Sequence, residues 1–282
     1  MLSRLQHLLP QHLLTSFAGW LANCNITWLK NRLIQYFIWR YPIKLEEALR
    51  SDPYEYSNFN ELFTRHLKPE ARSIANGLYD LISPADGQIS QMGKIEQGQI
   101  FQAKSHYFSV QNLLGNNFKD AELFKEGSFL TVYLAPADYH RVHMPLDGHL
   151  SQMVYVPGSL FSVNGKTAEC TPGLFARNER VITFFDTSIG RVAVILVGAM
   201  IVGSIETVWA GTITPPRKQS LHTWHYDNPI YLKRGEELGH FKLGSTVILL
   251  FEKDTVLWDL TLAATSVVQM GQRIGMFKPD RL

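Results

Sequence analysis

Nowhere in its 282 residues does this chain reach the run of about 18 apolar residues that a helix needs to cross a bilayer. Residues 1–10 hold a short apolar stretch and a proline, so neither a signal-peptide core nor a spanning helix is expected there. Cysteine is equally scarce. Cys24 and Cys170 form neither a CxxC pair nor a disulfide framework, which favours a reducing compartment. A net charge of +2 is too small to argue for nucleic acid, and no basic, aromatic RNA-binding signature accompanies it. Charged residues amount to only 18% against 45% hydrophobic, a balance that suits a globular domain whose surface prefers an apolar neighbour.

One absence is local. Residues 1–45 contain Arg4, Lys30, Arg32, Arg40 and Lys44 but no Asp or Glu, and Trp20, Trp28 and Trp39 are half of the chain's tryptophans. Leu29, Leu33 and Phe37 recur at helical spacing, with Ile26 and Tyr36 close by. Cations and tryptophans suit the headgroup layer, so residues 1–45 read as an amphipathic helical segment that associates with an anionic membrane surface. Arg40 falls near the apolar stripe and would have to snorkel. The same helices can also cover a core, and both readings can hold at once.

Past Pro42 the pattern changes. Residues 52–63 read as a loop leading into a short helix capped by Ser57 or Asn58, with Glu61 three residues beyond Asn58. Short β-branched and aromatic runs then alternate with Gly, Pro, Asp and Asn, which predicts strands at 87–92, 129–134, 149–156, 181–185, 192–197 and 246–251. Residues 184–192 read as a hairpin with Gly190 in its loop. The fold class is α+β and mainly β: N-terminal helices over residues 1–45, then one β-rich domain over 46–282 with no repeat or linker to divide it.

Four stretches carry polar groups of catalytic type. Gly244-Ser245-Thr246 opens the apolar run 247–251, so Ser245 stands at the mouth of a strand beside the carbonyl of a residue without a side chain. Asp86 sits in a Pro84-Ala85-Asp86-Gly87 turn. His140 and His143 lie between Pro136 and Pro145, where a single helical turn would put both imidazoles on one face. A zinc pair would need partners that no HExxH motif or cysteine supplies, so no metal is expected. Residues 175–181 pack charges ahead of a strand, usually a solvated edge. Aspartate, histidine and serine together suggest a hydroxyl activated by a base that a carboxylate orients. A subtilisin-type hydrolase has that chain order, but its serine is glycine-flanked and opens a helix, whereas Ser245 opens a strand.

With these motifs in place the chain resembles, over nearly its whole length, the bacterial, membrane-bound, pyruvoyl-dependent phosphatidylserine decarboxylases. The resemblance rests on Leu243-Gly244-Ser245-Thr246, on the run from Asp138 to Pro145, on Pro84 to Gly87, on Phe175 to Val181 and on Gly198 to Ile205. It implies that Asp86, His143 and Ser245 form a processing triad and that His140 helps in decarboxylation. It also implies self-cleavage between Gly244 and Ser245, into chains 1–244 and 245–282, with the new terminus converted to a covalent pyruvoyl cofactor. The implied substrate is phosphatidylserine, the implied place the cytoplasmic side of the cell membrane as a peripheral protein, and the implied assembly a homodimer. The chemistry also follows from the residues. With His143 as base and Asp86 fixing its tautomer, Ser245 Oγ attacks the Gly244 carbonyl and shifts the peptide bond to an ester; elimination then releases Gly244 as a carboxylate and leaves dehydroalanine, which hydrolyses to a pyruvoyl group. Two rivals remain: a lipid-directed serine hydrolase with an intact chain, and a non-enzymatic membrane-anchored β module.

Overall fold

The computed structural model describes residues 11–200, 204–216, 219–242 and 245–278. Leu243 and the expected cleavage residue Gly244 lie outside the described residues, as do Arg4 and residues 201–203 of the run after Gly198.

The first strands in chain order are β1 (Asp80–Ile82), β2 (Gly87–Lys94), β3 (Gln99–Ala103), β4 (His106–Ser109), β5 (Ser128–Leu134) and β6 (Arg141–His143). Then come β7 (Gly148–Val156), β8 (Arg180–Thr187), β9 (Gly190–Val197), β10 (Ser204–Thr207), β11 (Gly211–Thr212) and β12 (His222–Leu232). The last are β13 (Glu237–Lys242), β14 (Ser245–Phe251), β15 (Val256–Trp258), β16 (Val267–Val268) and β17 (Arg273–Phe277). Eight of them form an antiparallel sheet in the order β12-β7-β8-β9-β14-β5-β2-β16, and a smaller sheet runs β11-β10-β13-β6.

The large sheet explains the unbroken apolar run after Ser245. Successive side chains alternate between its faces. Val247, Leu249 and Phe251 enter one core cluster with Val142, Ile205, Leu238 and Phe241 of the small sheet, while Ile248 and Leu250 enter a second with Phe124, Leu174 and Phe175. Both faces are dry, so β14 needs apolar residues at consecutive positions rather than every other one. The six expected strands are present; β5, β7 and β14 gain only their first residue, while β2, β8 and β9 run two or three residues beyond their apolar runs. The β8–β9 hairpin closes at Thr187↔Gly190, with Gly190 at a φ of 102°, where a Cβ would also meet Glu252 Oε1 at 2.6 Å.

Two local expectations fail. Between Pro136 and Pro145 there is no helical turn: Asp138 N–H donates to Ala135 O while Asp138 Oδ2 accepts from Ala135 N–H, and after this turn the chain extends into β6. Backbone pairing with β13 outweighs the local preference. Residues 178–181 are buried, not a solvated edge. Arg180 donates to the carbonyls of Leu113, Asn112 and Asn178, and Asn178 bridges Phe161 and Gly198.

Ahead of the sheets lie α1 (Gln11–Ala22), α2 (Thr27–Arg40) and α3 (Phe59–Phe63). Asn58 caps α3, its Oδ1 accepting from Glu61 N–H, and Glu61 in return accepts from Ser57 N–H. Ala22, Ile34, Phe37, Tyr56, Phe59, Leu62 and Phe63 make a satellite core across the expected boundary at residues 45 and 46. Lys30 is buried beside it. Its Nζ donates to Tyr54 O and Tyr56 O, which leaves its side chain only 7% exposed and unavailable to a headgroup. Arg40 is exposed, resting over the Tyr41 ring, so it need not snorkel.

Candidate active site

Asp86 lies at the bend between β1 and β2, where Gly87 must follow because a Cβ there would stand 2.3 Å from Tyr133 O of β5. Its carboxylate is almost fully enclosed. Arg72 Nε donates to both oxygens at 2.9 and 3.1 Å, Arg72 Nη2 donates to Oδ2, and Met270 N–H donates to Oδ1 at 2.8 Å. Burial would lower the Arg72 pKa, but Asp86 and Glu47 raise it overall, so the guanidinium stays charged between them.

His143 ends β6. Its backbone N–H donates to Pro84 O at 2.7 Å, which brings it beside the Asp86 turn. The ring's Nδ1 lies 2.8 Å from Gly235 O, and a carbonyl can only accept, so Nδ1 carries the proton. Nε2 then accepts from the Tyr139 hydroxyl at 3.0 Å. The tautomer is therefore fixed by Gly235 O, whereas Asp86 acts on the ring through its charge alone: burial lowers the His143 pKa, and the Gly235 bond, Glu237 and Asp86 oppose it. That differs from the carboxylate–imidazole hydrogen bond expected of a triad.

His140 lies just before β6, three residues from His143 along extended backbone. The two rings do not share a face. His140 packs against Phe63, ring centroids 4.0 Å apart, and its Nδ1–H donates to Asp138 O at 2.9 Å. Complete burial, with the Arg65 charge adding to it, lowers its pKa to about 3 in spite of the Asp138 bond. The ring is neutral and its Nε2 is a buried lone pair without a partner.

Ser245 begins β14, paired with Leu134. By alternation it shares the face of Val247 and Leu249, the face covered by the small sheet that carries His143 and, through the bond from Phe241 N–H to His140 O, holds His140. Its hydroxyl is fully buried and, like His140 Nε2, has no hydrogen-bond partner. Asp86 and His143 are thus neighbours through one turn, and Ser245 and His140 hang on the same β-interface, but no hydrogen bond joins Ser245 to either imidazole.

Sequence reasoning missed Arg72, Arg65 and Tyr139. Arg65 is buried, donates to Ala137 O, and keeps Nε and Nη1 unpaired. Arg72 reaches Asp86 across 14 residues, Arg65 reaches Ala137 across 72, and Tyr139 acts through a hydroxyl four residues from His143, none of which a local motif announces.

A family model described as phosphatidylserine decarboxylase matches residues 59–276, and a second, described as PSD, matches residues 3–42. The chain belongs to the phosphatidylserine decarboxylase family. Among its relatives in the family, the phosphatidylserine decarboxylase proenzyme of Azotobacter vinelandii is 54% identical over 274 residues, 96% of each chain. That of Pseudomonas putida is 55% identical over 273 residues, 95% of each chain, and that of Idiomarina loihiensis is 50% identical over 277 residues, 97% of this chain and 95% of its own. The family match spans Asp86, His140, His143 and Ser245 alike.

Proposed function

We propose that this chain decarboxylates phosphatidylserine to phosphatidylethanolamine with a pyruvoyl group that it makes from its own Ser245. The observation that carries the reading is the Ser245 hydroxyl, fully buried and unpartnered at the head of a central strand, directly after a glycine. Burying a hydroxyl without a partner costs about 1–3 kcal/mol, a cost that alanine would avoid. The proenzyme names of the relatives point the same way.

In processing, His143 in its Nδ1–H tautomer offers a neutral Nε2 as base once the Tyr139 hydroxyl releases it. Its lowered pKa keeps that lone pair free at neutral pH. Asp86, clamped by Arg72, supplies a fixed negative charge that favours the imidazolium as the proton leaves Ser245 Oγ. Oγ then attacks the Gly244 carbonyl, and the Gly244–Ser245 peptide C–N bond breaks as an ester forms. Elimination releases Gly244 as a carboxylate and leaves dehydroalanine, and water converts that to the ketone with loss of ammonia. The resulting pyruvoyl group would supply a ketone to capture the substrate amine and to take up electrons as carbon dioxide leaves. His140 acts in turnover. An anionic substrate beside its Nε2 offsets burial, so the ring can take up the proton that it returns to the α carbon. Tight enclosure by Phe63 excludes water from that proton.

Membrane association of the N-terminal helices completes the reading. Leu13, Phe17 and Trp20 are exposed along one side of α1, and Trp28, Tyr36 and Trp39 along α2, without an acid between them. Among the described residues no helix is long and apolar enough to cross a membrane; the reading is of a peripheral contact made through these exposed side chains.

The test is denaturing electrophoresis with fragment masses. The active preparation should contain pieces of 244 and 38 residues, and Ser245→Ala should remain whole. Cyanoborohydride with phosphatidylserine should tether lipid to the smaller piece. An active preparation with an intact chain, or a lipid adduct on a lysine, would overturn the proposal.

A further inference from the structure

A cavity of about 330 Å³ opens between α1, α3 and the outer face of the small sheet. Its charged lining residues are Lys242 and Glu179; Lys242 is three residues from Ser245, and three residues of chain span at most about 11 Å, so the cavity adjoins the junction at Ser245. Ser204 and Lys242 are directly opposed in the β10–β13 ladder, which puts both side chains on one face. Both line the cavity. Ser204 Oγ is buried with no partner, and on the facing wall Asn60 Oδ1, in a side chain only 4% exposed, has none either. Two unsatisfied polar atoms in one cavity mark a place built for a polar ligand.

The donors give its preference. Lys242 is the one cation among the cavity's described lining residues and Glu179 the one carboxylate, and Glu179 already accepts from the Tyr155 hydroxyl. The Lys242 ammonium, which contacts Glu206, has three N–H donors, and with the unpaired Ser204 hydroxyl beside it one wall offers donors to an acceptor-rich group. Trp20 completes the picture: it lines the cavity and is also largely exposed on the apolar side of α1, so one indole joins the polar chamber to the face proposed for the membrane.

We infer that this cavity holds the phosphodiester of the lipid headgroup, gripped by the Lys242 ammonium and the Ser204 hydroxyl, with the acyl chains leaving past Trp20. The inference rests on the proposed function and adds its headgroup-binding residues. The chemistry agrees in scale, since in phosphatidylserine a single oxygen and methylene separate the phosphorus from the carbon that bears the reacting amine. A phosphate anchored beside Lys242 therefore presents that amine toward residue 245.

The experiment uses purified enzyme and the variants Lys242→Met, Lys242→Arg and Ser204→Ala, each scored for processed fraction on a gel and for kcat and KM with short-chain phosphatidylserine. Glycerophosphoserine, inorganic phosphate and O-methylserine serve as competing probes. Losing a hydrogen bond to a charged group should raise KM, and the inhibition constant of glycerophosphoserine, about tenfold in Lys242→Met and Ser204→Ala. Lys242→Arg should recover part of the loss, and O-methylserine, which lacks phosphate, should inhibit all forms equally. Inorganic phosphate should compete more weakly than glycerophosphoserine; equal competition would mean a general anion site and overturn the headgroup assignment. If Lys242→Met fails to process, Ser204→Ala decides alone, because its hydroxyl makes no bond within the protein. Parental constants in Ser204→Ala, or an equal loss toward O-methylserine, would overturn the inference while leaving processing intact. A parent enzyme that neither cleaves nor releases carbon dioxide would instead remove the proposed function beneath it.

Discussion

His140 should make the folded precursor sensitive to acid by an amount that can be worked out. Its pKa is lowered from 6.5 to about 3 by complete burial, so the unfolded chain takes up the proton first as pH falls. The contribution is therefore fully present above about 6.5 and is lost progressively below it. At pH 5 the folded ring is still neutral while the unfolded one is charged, which costs about 2 kcal/mol relative to pH 7.5. That figure barely depends on where the folded value lies below about 4. His143, whose pKa burial also lowers, adds in the same direction. The assay is urea unfolding of Ser245→Ala, which remains uncleaved, with and without His140→Gln. With a slope of about 3 kcal/mol per molar, the His140 term moves the midpoint by roughly 0.7 M between pH 7.5 and pH 5. Glutamine does not titrate, so the double variant should lose that much less. Equal midpoint losses in the two proteins would show that the ring is not held neutral, and the assignment of its tautomer would fall with it.

Other perturbations separate the remaining roles. His143→Ala should accumulate as precursor, slowed by about 10²–10⁴-fold for loss of a general base, while His140→Ala should cleave but release carbon dioxide poorly; the reverse pattern on gel and in labelled-lipid assays would exchange the two roles. Arg72→Met leaves Asp86 buried without its cation and should destabilise the protein by about 3–5 kcal/mol in urea melts as well as slow processing; unchanged melts would mean that Asp86 is held by Met270 N–H alone. Replacing Arg32 and Arg40 by glutamate should weaken sedimentation with anionic vesicles at low salt by about 1 kcal/mol per lost cation, whereas Lys30→Met should lower the melting temperature, and an effect on vesicle binding alone would contradict its burial.

The strands were legible because the large sheet is dry on both faces, so each core strand is a continuous apolar word between turn residues. Asp86, His140, His143 and Ser245 were legible as motif residues, but their partners were not. Proline at 136 and 145 brackets a turn and a strand as naturally as a helical turn, and only pairing with β13 distinguishes them. Lys30 reads as a membrane cation until Tyr54 O and Tyr56 O, more than 20 residues away, claim its ammonium. Arg180 reads as solvated for the same reason: its carbonyl acceptors at Asn112 and Leu113 lie 68 and 67 residues distant. Charges satisfied by distant backbone leave no pattern in the local sequence.

Ser245 heads a strand with seven paired positions on β5 and six on β9. A chain cut before it would keep that strand as a wedge between two neighbours, so the cut itself need not loosen the sheet. The way back is different. While the chain is continuous, the strand finds its slot as a tethered segment at high effective concentration; once severed and melted out, it must find the slot as a separate molecule. The uncut chain thus carries folding information that the cut pair no longer does. Refolding yield of the denatured two-piece protein should fall on dilution, while that of Ser245→Ala should not, and a two-piece protein that recovers independently of concentration would show that residues 1–244 close the sheet without their wedge.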